Sequence, residues 1–498
     1  MHLQRVQVPD FRVLKDVDIT FEHDFNPRVF PLGSQNGGGK STLLQLIFIL
    51  LHCSGNSDSF LALKNLLSGF DLREEEDKRL LAIIDIWDGE KTIELEFFIC
   101  KDFIVEQASN TSNRQKKERR QSFSIFTELK TALKELANLS NKLKRLQDSK
   151  KKIGSKYPEL LSPNSAHIDS IDVDFDDLAR SVFMENLKTQ LSDLDIILEI
   201  EDPDTLALDL LKKTEQGILN LLDKQKIANY TITFLNEKIE VLKSKLRRAN
   251  IKYISTFSAK DDEYANEALL CTVKNIRIDS ADQFFNQLSS KVFLAAPSTQ
   301  VFLFLSKKSR KSLFSDRNEY YSFLSRSSSK LSGLFTYDFL AVEMLIESFK
   351  AARDRDFREA LGTGEYGSSY KNLLKDLELL LQDKKVNLRA DFSGLTFTKN
   401  ISGITVELEP EDLSHGELKR LSVYVWLKHN NIEDAIVLMD EIDIALHPDW
   451  QYQIVSDLLD WVPSNQYILA THSYELCNAL TPSHVKVLEP KLTGRISK

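Results

Sequence analysis

One run of ten residues constrains this chain more than any other: Gly33-Ser34-Gln35-Asn36-Gly37-Gly38-Gly39-Lys40-Ser41-Thr42. The residues before it, Arg28 to Leu32, read as a buried strand. The apolar run after it, Leu43 to Leu51, is broken only by Gln45 and reads as a buried helix. Strand, glycine loop and helix in that order are the setting in which backbone N–H groups wrap phosphates. Lys40 then reaches the β- and γ-phosphates and Ser41 ligates Mg²⁺. The place usual for the first glycine holds Ser34, with Gly33 one position earlier; Asn36, Gly37 and Gly39 keep the rest of the pattern. The expectation is an α/β fold using ATP and Mg²⁺.

Three further stretches support that expectation. Ala435-Ile436-Val437-Leu438-Met439 reads as a buried strand ending in Asp440-Glu441. Adjacent acids at the end of a buried parallel strand lie where α/β sheets place ligands. Asp440 would hold Mg²⁺ through water, and Glu441 would polarise the attacking water. Gln466 to Ala470 reads as a second such strand, ending in Thr471-His472-Ser473, with His472 placed to sense a γ-phosphate. Between the loop and these strands lies Asp412-Leu413-Ser414-His415-Gly416-Glu417. Ser414 and Glu417 have capping-box spacing, so a helix starts after Ser414 and offers N–H groups and partial positive charge to an anion. Gly416 lets backbone come close to a phosphate.

Leu-Ser-X-Gly-Glu is the signature of ABC-type ATPases, and four motifs stand in the order of that class. The chain resembles the ABC-type group that contains SMC proteins, RecF-like repair ATPases and the OLD-like ATPases of phage defence. Residues 441–448, Glu-Ile-Asp-Ile-Ala-Leu-His-Pro, with Ala470-Thr471-His472-Ser473, are most similar to the OLD and RecF-like branch. The resemblance covers residues 1–110 and 255–490. It implies a P-loop NTPase head with an antiparallel β-subdomain and a helical lobe. It implies ATP contacts from Asn36, Gly37, Gly38, Gly39, Lys40, Ser41 and Thr42, Mg²⁺ at Ser41 and Asp440, and catalysis by Glu441 with His472. Ser414 and Gly416 would close over the ATP of another head, which makes a homodimer with ATP sandwiched between heads. The Q-loop glutamine stays open between Gln107 and Gln300, which both follow strands.

The rest of the chain divides around these motifs. Residues 2–8 and 16–22 alternate as an antiparallel pair, and 79–87, 91–99 and 102–106 read as further strands with Asp88-Gly89 as a turn. Leu129, Leu136 and Leu143 with Ala132, Leu139 and Leu146 form a heptad register. Ala228, Leu235 and Leu242 with Ile232, Ile239 and Leu246 form a second. They predict an antiparallel coiled-coil arm or a helical bundle inserted in the head, giving the segments 1–110, 111–254 and 255–498. Val292–Ala296 and Val301–Leu305 read as strands, residues 306–385 as Ser-rich and then helical, and 387–409 as two or three strands. From Arg114 to Lys156 there are fourteen Lys/Arg against four Asp/Glu; from Glu159 to Asp204 there are thirteen acids. These stretches read either as solvated faces or as a basic face for DNA beside an acidic face for a protein. A net charge of −9 argues against a wholly basic nucleic-acid coat.

With 498 residues, the chain exceeds one core and predicts two or three domains. No apolar run approaches the roughly 20 residues of a membrane span, no signal peptide opens the sequence, and no Cys-X-X-Cys occurs. The expectation is a cytoplasmic protein with buried, reduced thiols. Only twenty-six residues follow His472, without the acidic triad of the TOPRIM nuclease that OLD nucleases carry. The resemblance then implies an ATP-gated sensor or clamp in antiviral defence, with any nuclease on a separate chain, as in Septu-type systems. A RecF- or SMC-like DNA-repair ATPase and a transporter ATPase subunit are the alternatives.

Overall fold

A computed structural model describes residues 1–56, 59–73, 76–101, 125–156, 206–257, 267–276, 278–305, 331–337 and 341–488. They group into two compact units, Met1–Val105 with Leu246–Lys498, and Glu106–Lys245.

In the first unit, β1 (His2–Phe11), β2 (Leu14–Thr20) and β3 (Val29–Gly33) precede the helices α1 (Lys40–Cys53) and α2 (Phe60–Leu66). Then come β4 (Lys78–Trp87) and β5 (Thr92–Lys101). The second unit holds α3 (Ile125–Lys156) and most of α4 (Leu206–Arg248). The chain continues through β6 (Ile251–Phe257), β7 (Glu267–Lys274), α5 (Ile278–Ser290), β8 (Val292–Ala296) and β9 (Leu334–Thr336). The helices α6 (Ala341–Thr363) and α7 (Ser369–Leu381) and the strands β10 (Lys384–Leu388), β11 (Leu395–Ile401) and β12 (Ile404–Leu408) follow. The last elements are α8 (His415–His429), β13 (Ile436–Asp440), α9 (Pro448–Trp461), β14 (Gln466–Thr471), α10 (Tyr474–Asn478) and β15 (Lys486–Val487).

Two six-stranded sheets make the head. One is antiparallel, in the order β2-β1-β4-β5-β7-β6. The other is parallel, in the order β15-β3-β14-β13-β8-β9. The glycine loop leaves a strand inside the parallel sheet and enters a helix, the setting expected of a phosphate-binding loop. The central strands of this sheet are short apolar runs covered on both faces, as parallel strands require: every residue of β13 and of β14 is buried. Helix α1 is buried from Leu43 to Cys53. Its apolar residues share one core with both sheets, which is why the stretch is apolar all round instead of striped. On the opposite face of the parallel sheet, Val423, Trp426 and Leu427 of α8 meet Val437 and Met439 of β13. A third core joins Leu345 and Phe349 of α6, Leu377 of α7 and Phe397 of β11 to Leu421 and Val425 of α8. It forms the helical lobe that carries Ser414–Glu417.

In the second unit, the heptad positions Ala132, Leu139, Leu146, Ala228, Leu235, Ile239 and Leu242 are buried. Gln225 donates to the Ser140 hydroxyl at 3.0 Å. Ten residues along α3 and ten back along α4, Lys150 meets Glu215 at 2.8 Å. The two helices therefore pack antiparallel.

Some expectations are corrected. Val301–Leu305 is not a strand: Ser298–Phe304 forms a 3-10 helix that buries Val301 and Phe304. Their spacing of three puts both on one face of that helix, and a short apolar run cannot distinguish the two structures. Cys477 is only half-buried, whereas Cys53, Cys100 and Cys271 are buried. Burial pushes the Cys53 and Cys271 thiols up, so they stay protonated. The strand expected at 102–106, the basic run 114–120, the acidic run 159–204 and the Ser-rich stretch at 325–329 lie outside the described residues. Among the described residues, no helix is long and apolar enough to cross a membrane.

Candidate functional site

The site forms along the C-terminal edge of the parallel sheet, where β3, β13 and β14 end side by side. Thr471 is level with Gly33, and Asp440 with Ala470. Register alone thus brings the glycine loop, the Asp440-Glu441 pair and His472 together, from sequence positions more than 400 residues apart.

The glycine loop turns from β3 into α1 through left-handed backbone. Gly39 stands at the helix N-cap with φ 94°. A Cβ there would come within 2.7 Å of Leu14 and 2.9 Å of Val13. The end of α1 has no side-chain cap and no acid in its first turn. Its free amides and partial positive charge suit an anion. Asn36 and Gly37 are exposed on the loop, and Ser41 and Thr42 are half-buried in the first turn of α1.

Lys40 is buried, and its ammonium donates to the Ser34 carbonyl at 3.3 Å and the Ser34 hydroxyl at 3.2 Å. It also lies 2.8 Å from His472 Nε2. Burial lowers the Lys40 pKa, against the opposing pull of Asp440, Asp443 and Glu441. Ser34, the departure from the usual glycine, thereby acts as a holder for the lysine.

Asp440 is 2% exposed. Burial pushes its carboxyl up to about 6 against the pull of Ser41 and Lys40. The Ser41 hydroxyl is near enough to favour the charged form, but neither carboxylate oxygen has a donor at hydrogen-bonding distance among the described residues. Buried acceptors without donors are rare and costly, and a divalent cation would satisfy both. No cluster of three His, Cys, Asp or Glu able to hold a metal occurs among the described residues. A cation here would take Asp440, Ser41 and phosphate oxygens, the arrangement Mg²⁺ favours.

Glu441 extends the ladder by donating its N–H to the Ala470 carbonyl at 3.0 Å, and then turns left-handed with φ 54°. Two residues on, Asp443 accepts the His472 N–H at 3.3 Å through Oδ2, while its buried Oδ1 has no partner among the described residues. Gln451 of α9 donates to the Asp443 and Leu446 carbonyls, and its own carbonyl oxygen accepts from the Ser473 hydroxyl at 2.6 Å. Of the two glutamines considered for the Q-loop, Gln107 lies outside the described residues. Gln300 follows β8, and its Oε1 accepts from Gln45 of α1.

The signature stretch stands apart from this cluster. Ser414 and Glu417 form the capping box: the Glu417 N–H donates to the Ser414 hydroxyl at 3.3 Å and the Ser414 N–H to Glu417 at 2.9 Å. Two of the amides expected to face an anion are therefore spent within the helix end. Burial opposes ionisation of Glu417, but Lys384 and Ser414 outweigh it and hold its carboxyl below the usual range. Gly416 packs so tightly on its own chain that a Cβ would lie 2.8 Å from the Ala445 carbonyl oxygen and 3.1 Å from Trp450. Ser414, His415 and Gly416 line a surface cavity of about 780 Å³ with Ala445, Leu446, His447 and Trp450, and no residue of 33–42 lines it.

Sequence reasoning gave no role to Asp443, Lys419 or Gln451. Asp443 carried a signal, an acid three residues after Asp440 on the same strand exit. Gln451 and Lys419 carried none, because each acts on backbone carbonyls whose position only the fold sets.

Curated relatives match over a short stretch. The Retron Vc95 probable ATPase of Vibrio cholerae serotype O1 biovar El Tor is 44% identical over 54 residues, 11% of this chain and 10% of that protein. The Septu protein PtuA of Bacillus mycoides (strain KBAB4) is 44% identical over 55 residues, 11% of this chain and 8% of that protein. The chain thus spans about a tenth of the length of the curated relatives it matches. A solved Smc head domain with an extended coiled coil, bound to the C-terminal domain of ScpA and derived from Pyrococcus furiosus, aligns over 96% of this chain and 92% of its own. Its TM-score is 0.29 and its identity 11%, too low to bear on the fold. The family model described as "AAA domain, putative AbiEii toxin, Type IV TA system" matches residues 207–478. That match takes in Ser414, Asp440, Glu441 and His472, leaves residues 33–42 outside, and covers more than half of the chain, which therefore belongs to this AAA family.

Proposed function

We propose that this chain binds ATP with Mg²⁺ and hydrolyses it in a head-to-head homodimer. We further propose that it serves as the ATP-gated sensor or clamp of an antiviral defence system whose nuclease is a separate chain. The observation that carries the ATPase reading is the convergence of Lys40, Asp440, Glu441 and His472 at one sheet edge, with Lys40 and His472 2.8 Å apart.

In this reading the amides of residues 36–42 wrap the phosphates, and Lys40 leaves Ser34 and His472 to meet the terminal phosphate. Asp440 and Ser41 hold Mg²⁺, which when bound neutralises charge on the phosphates. Glu441 accepts the proton of the attacking water, and His472 contacts the γ-phosphate. Ser414 and Gly416 meet the nucleotide of the partner head. Support for the dimer is the separation of the Ser414 cavity from the glycine loop within one chain. Support for the defence role is the likeness to proteins named as retron and Septu components, together with the resemblance to OLD-like ATPases.

The experiment is phosphate release by the purified chain and by Glu441→Gln. The amide cannot accept the water's proton, so the variant should bind ATP and Mg²⁺, lose turnover and accumulate an ATP-bound dimer by light scattering. Turnover equal to wild type would remove Glu441 from its role, and a variant that stays monomeric at saturating ATP would remove the dimer.

A further inference from the structure

The turn that carries Glu441 is strained. Glu441 has φ 54° and Ala445 φ 70°, both left-handed, and both residues carry a Cβ that makes this region costly. Such backbone persists only where its surroundings impose it. Within the turn itself, the Ile444 N–H reaches the Glu441 carbonyl only at 3.3 Å and the Leu446 N–H reaches the Asp443 carbonyl at 3.2 Å.

The imposing group comes from the signature helix. Lys419, on the second turn of α8, is 8% exposed. Its ammonium donates to the Glu441 carbonyl at 2.6 Å and to the Ile444 carbonyl at 3.0 Å, and lies 4.3 Å from the centre of the Tyr337 ring. The two carbonyls flank the strained turn, since Ile444 directly precedes Ala445. A buried ammonium with compact donors suits two converging carbonyl oxygens, and charge-assisted bonds of this kind are the strong ones. One helical turn earlier, Gly416 seats the same helix against the Ala445 carbonyl. On the other side, Gln451 holds the Asp443 and Leu446 carbonyls.

We propose that Lys419 is a positioning residue: it clamps the Glu441 and Ile444 carbonyls and so holds Glu441 in the left-handed backbone from which its carboxylate acts. This rests on the reading of Glu441 as the base of an ATPase. It follows that the helix offering Ser414 to the partner's nucleotide is tied directly to the base of its own head. A shift of α8 when the partner binds ATP is therefore felt at Glu441, and the two composite sites depend on each other.

The test uses the full chain and the variants Lys419→Met, which keeps the stem and removes the donors, and Lys419→Arg, which keeps the charge. Steady-state ATPase and binding of a fluorescent ATP analogue are measured beside wild type and Glu441→Gln. The expected result for Lys419→Met is a kcat lower by about tenfold or more, with KM and analogue affinity within about twofold, as for a group that acts only on the chemical step. Lys419→Arg should regain part of kcat. Lys419→Met combined with Glu441→Gln should still form the ATP-bound dimer, which loss of the signature helix would prevent. Should Lys419→Met not fold, Lys419→Gln, with one N–H donor pair and no charge, is read by the same criteria. Unchanged kcat in Lys419→Met while Glu441→Gln is inactive overturns the clamp alone, as does a proportional loss of nucleotide affinity. A wild-type chain without ATPase overturns the clamp and the ATPase reading together.

Discussion

The Lys40 ammonium and His472 Nε2 lie 2.8 Å apart, joining the first helix of the chain to the loop after its last long strand. The bond requires Nε2 to act as acceptor, so its ring carries the proton elsewhere. With Ser34, it holds the lysine at the mouth of the glycine loop. Lys40→Ala removes the charge that would meet the terminal phosphates. A hydrogen bond to a charged group contributes about 1.5–3 kcal/mol, so affinity for a fluorescent ATP analogue should fall roughly 10- to 100-fold. Unchanged affinity with Mg²⁺ present would mean that the loop has been misread.

Asp440 gives a pH dependence of defined sign. Its carboxyl is raised to about 6 by burial, above its value in the unfolded chain. The folded protein therefore keeps this proton between about pH 4 and 6 while the unfolded chain has released it. Stability from this group is present at lower pH and is lost as pH rises through about 6. Asp440→Asn removes the ionisation. In metal- and nucleotide-free protein, the variant should be more stable than wild type at pH 8, by up to about 3 kcal/mol. The gain should vanish near pH 4. Denaturant unfolding at the two pH values measures the difference, and an equal offset at both would assign it to something other than Asp440 ionisation.

Much of the fold was legible in the sequence because its signals are local. The run Ile436 to Asp440 is short, apolar and acid-ended, and could be little else than a buried parallel strand. The spacing of Ser414 and Glu417 gave the start of α8. The heptads gave α3 and α4. Val301 to Leu305 misled because a short, wholly apolar run fits a strand and a 3-10 helix alike. Within the site, residues whose work lies in their own motif could be named in advance. Lys419 and Gln451 could not, because their partners are carbonyls twenty-two and eight residues away that only the packing of α8 and α9 brings into reach. Gly416 was assigned to a phosphate alone; its contact with Ala445 and Trp450 is a second, intrachain requirement.

Gly39 should tolerate no side chain. Its φ of 94° is left-handed, and a Cβ would press on Leu14 and Val13. A non-glycine residue in such backbone costs on the order of 1–3 kcal/mol. Gly39→Ala should lower unfolding stability by that amount and, by moving the start of α1, weaken nucleotide binding as well. Chemical denaturation and analogue binding test the two effects separately. A variant with wild-type stability would mean that the loop relaxes without cost.

The signature stretch yields the sharpest prediction, because in the proposed dimer it acts across a subunit boundary. One chain has one glycine loop and one Ser414–Glu417, so two complete sites need two chains related by a two-fold axis. Ser414→Arg removes an N-cap, which costs about 1 kcal/mol, and places bulk at the proposed interface. It should leave nucleotide binding by the single chain nearly intact, since the Ser414 cavity includes no residue of the glycine loop. It should abolish ATP-dependent association and hydrolysis. Mixing Lys40→Ala with Ser414→Arg then separates action within a chain from action between chains. A mixed dimer has one composite site with both lesions and one with neither. With random pairing and independent sites, ATPase should return to about a quarter of wild type. If the clamp of Lys419 on Glu441 makes the sites depend on each other, recovery should be smaller, and Lys419→Met on the Ser414→Arg chain should reduce or abolish it, because the intact site of the mixed dimer takes its Glu441 from that chain. No recovery at all, despite mixed dimers demonstrated by light scattering or crosslinking, would mean that the signature acts within its own chain or that both sites must fire together.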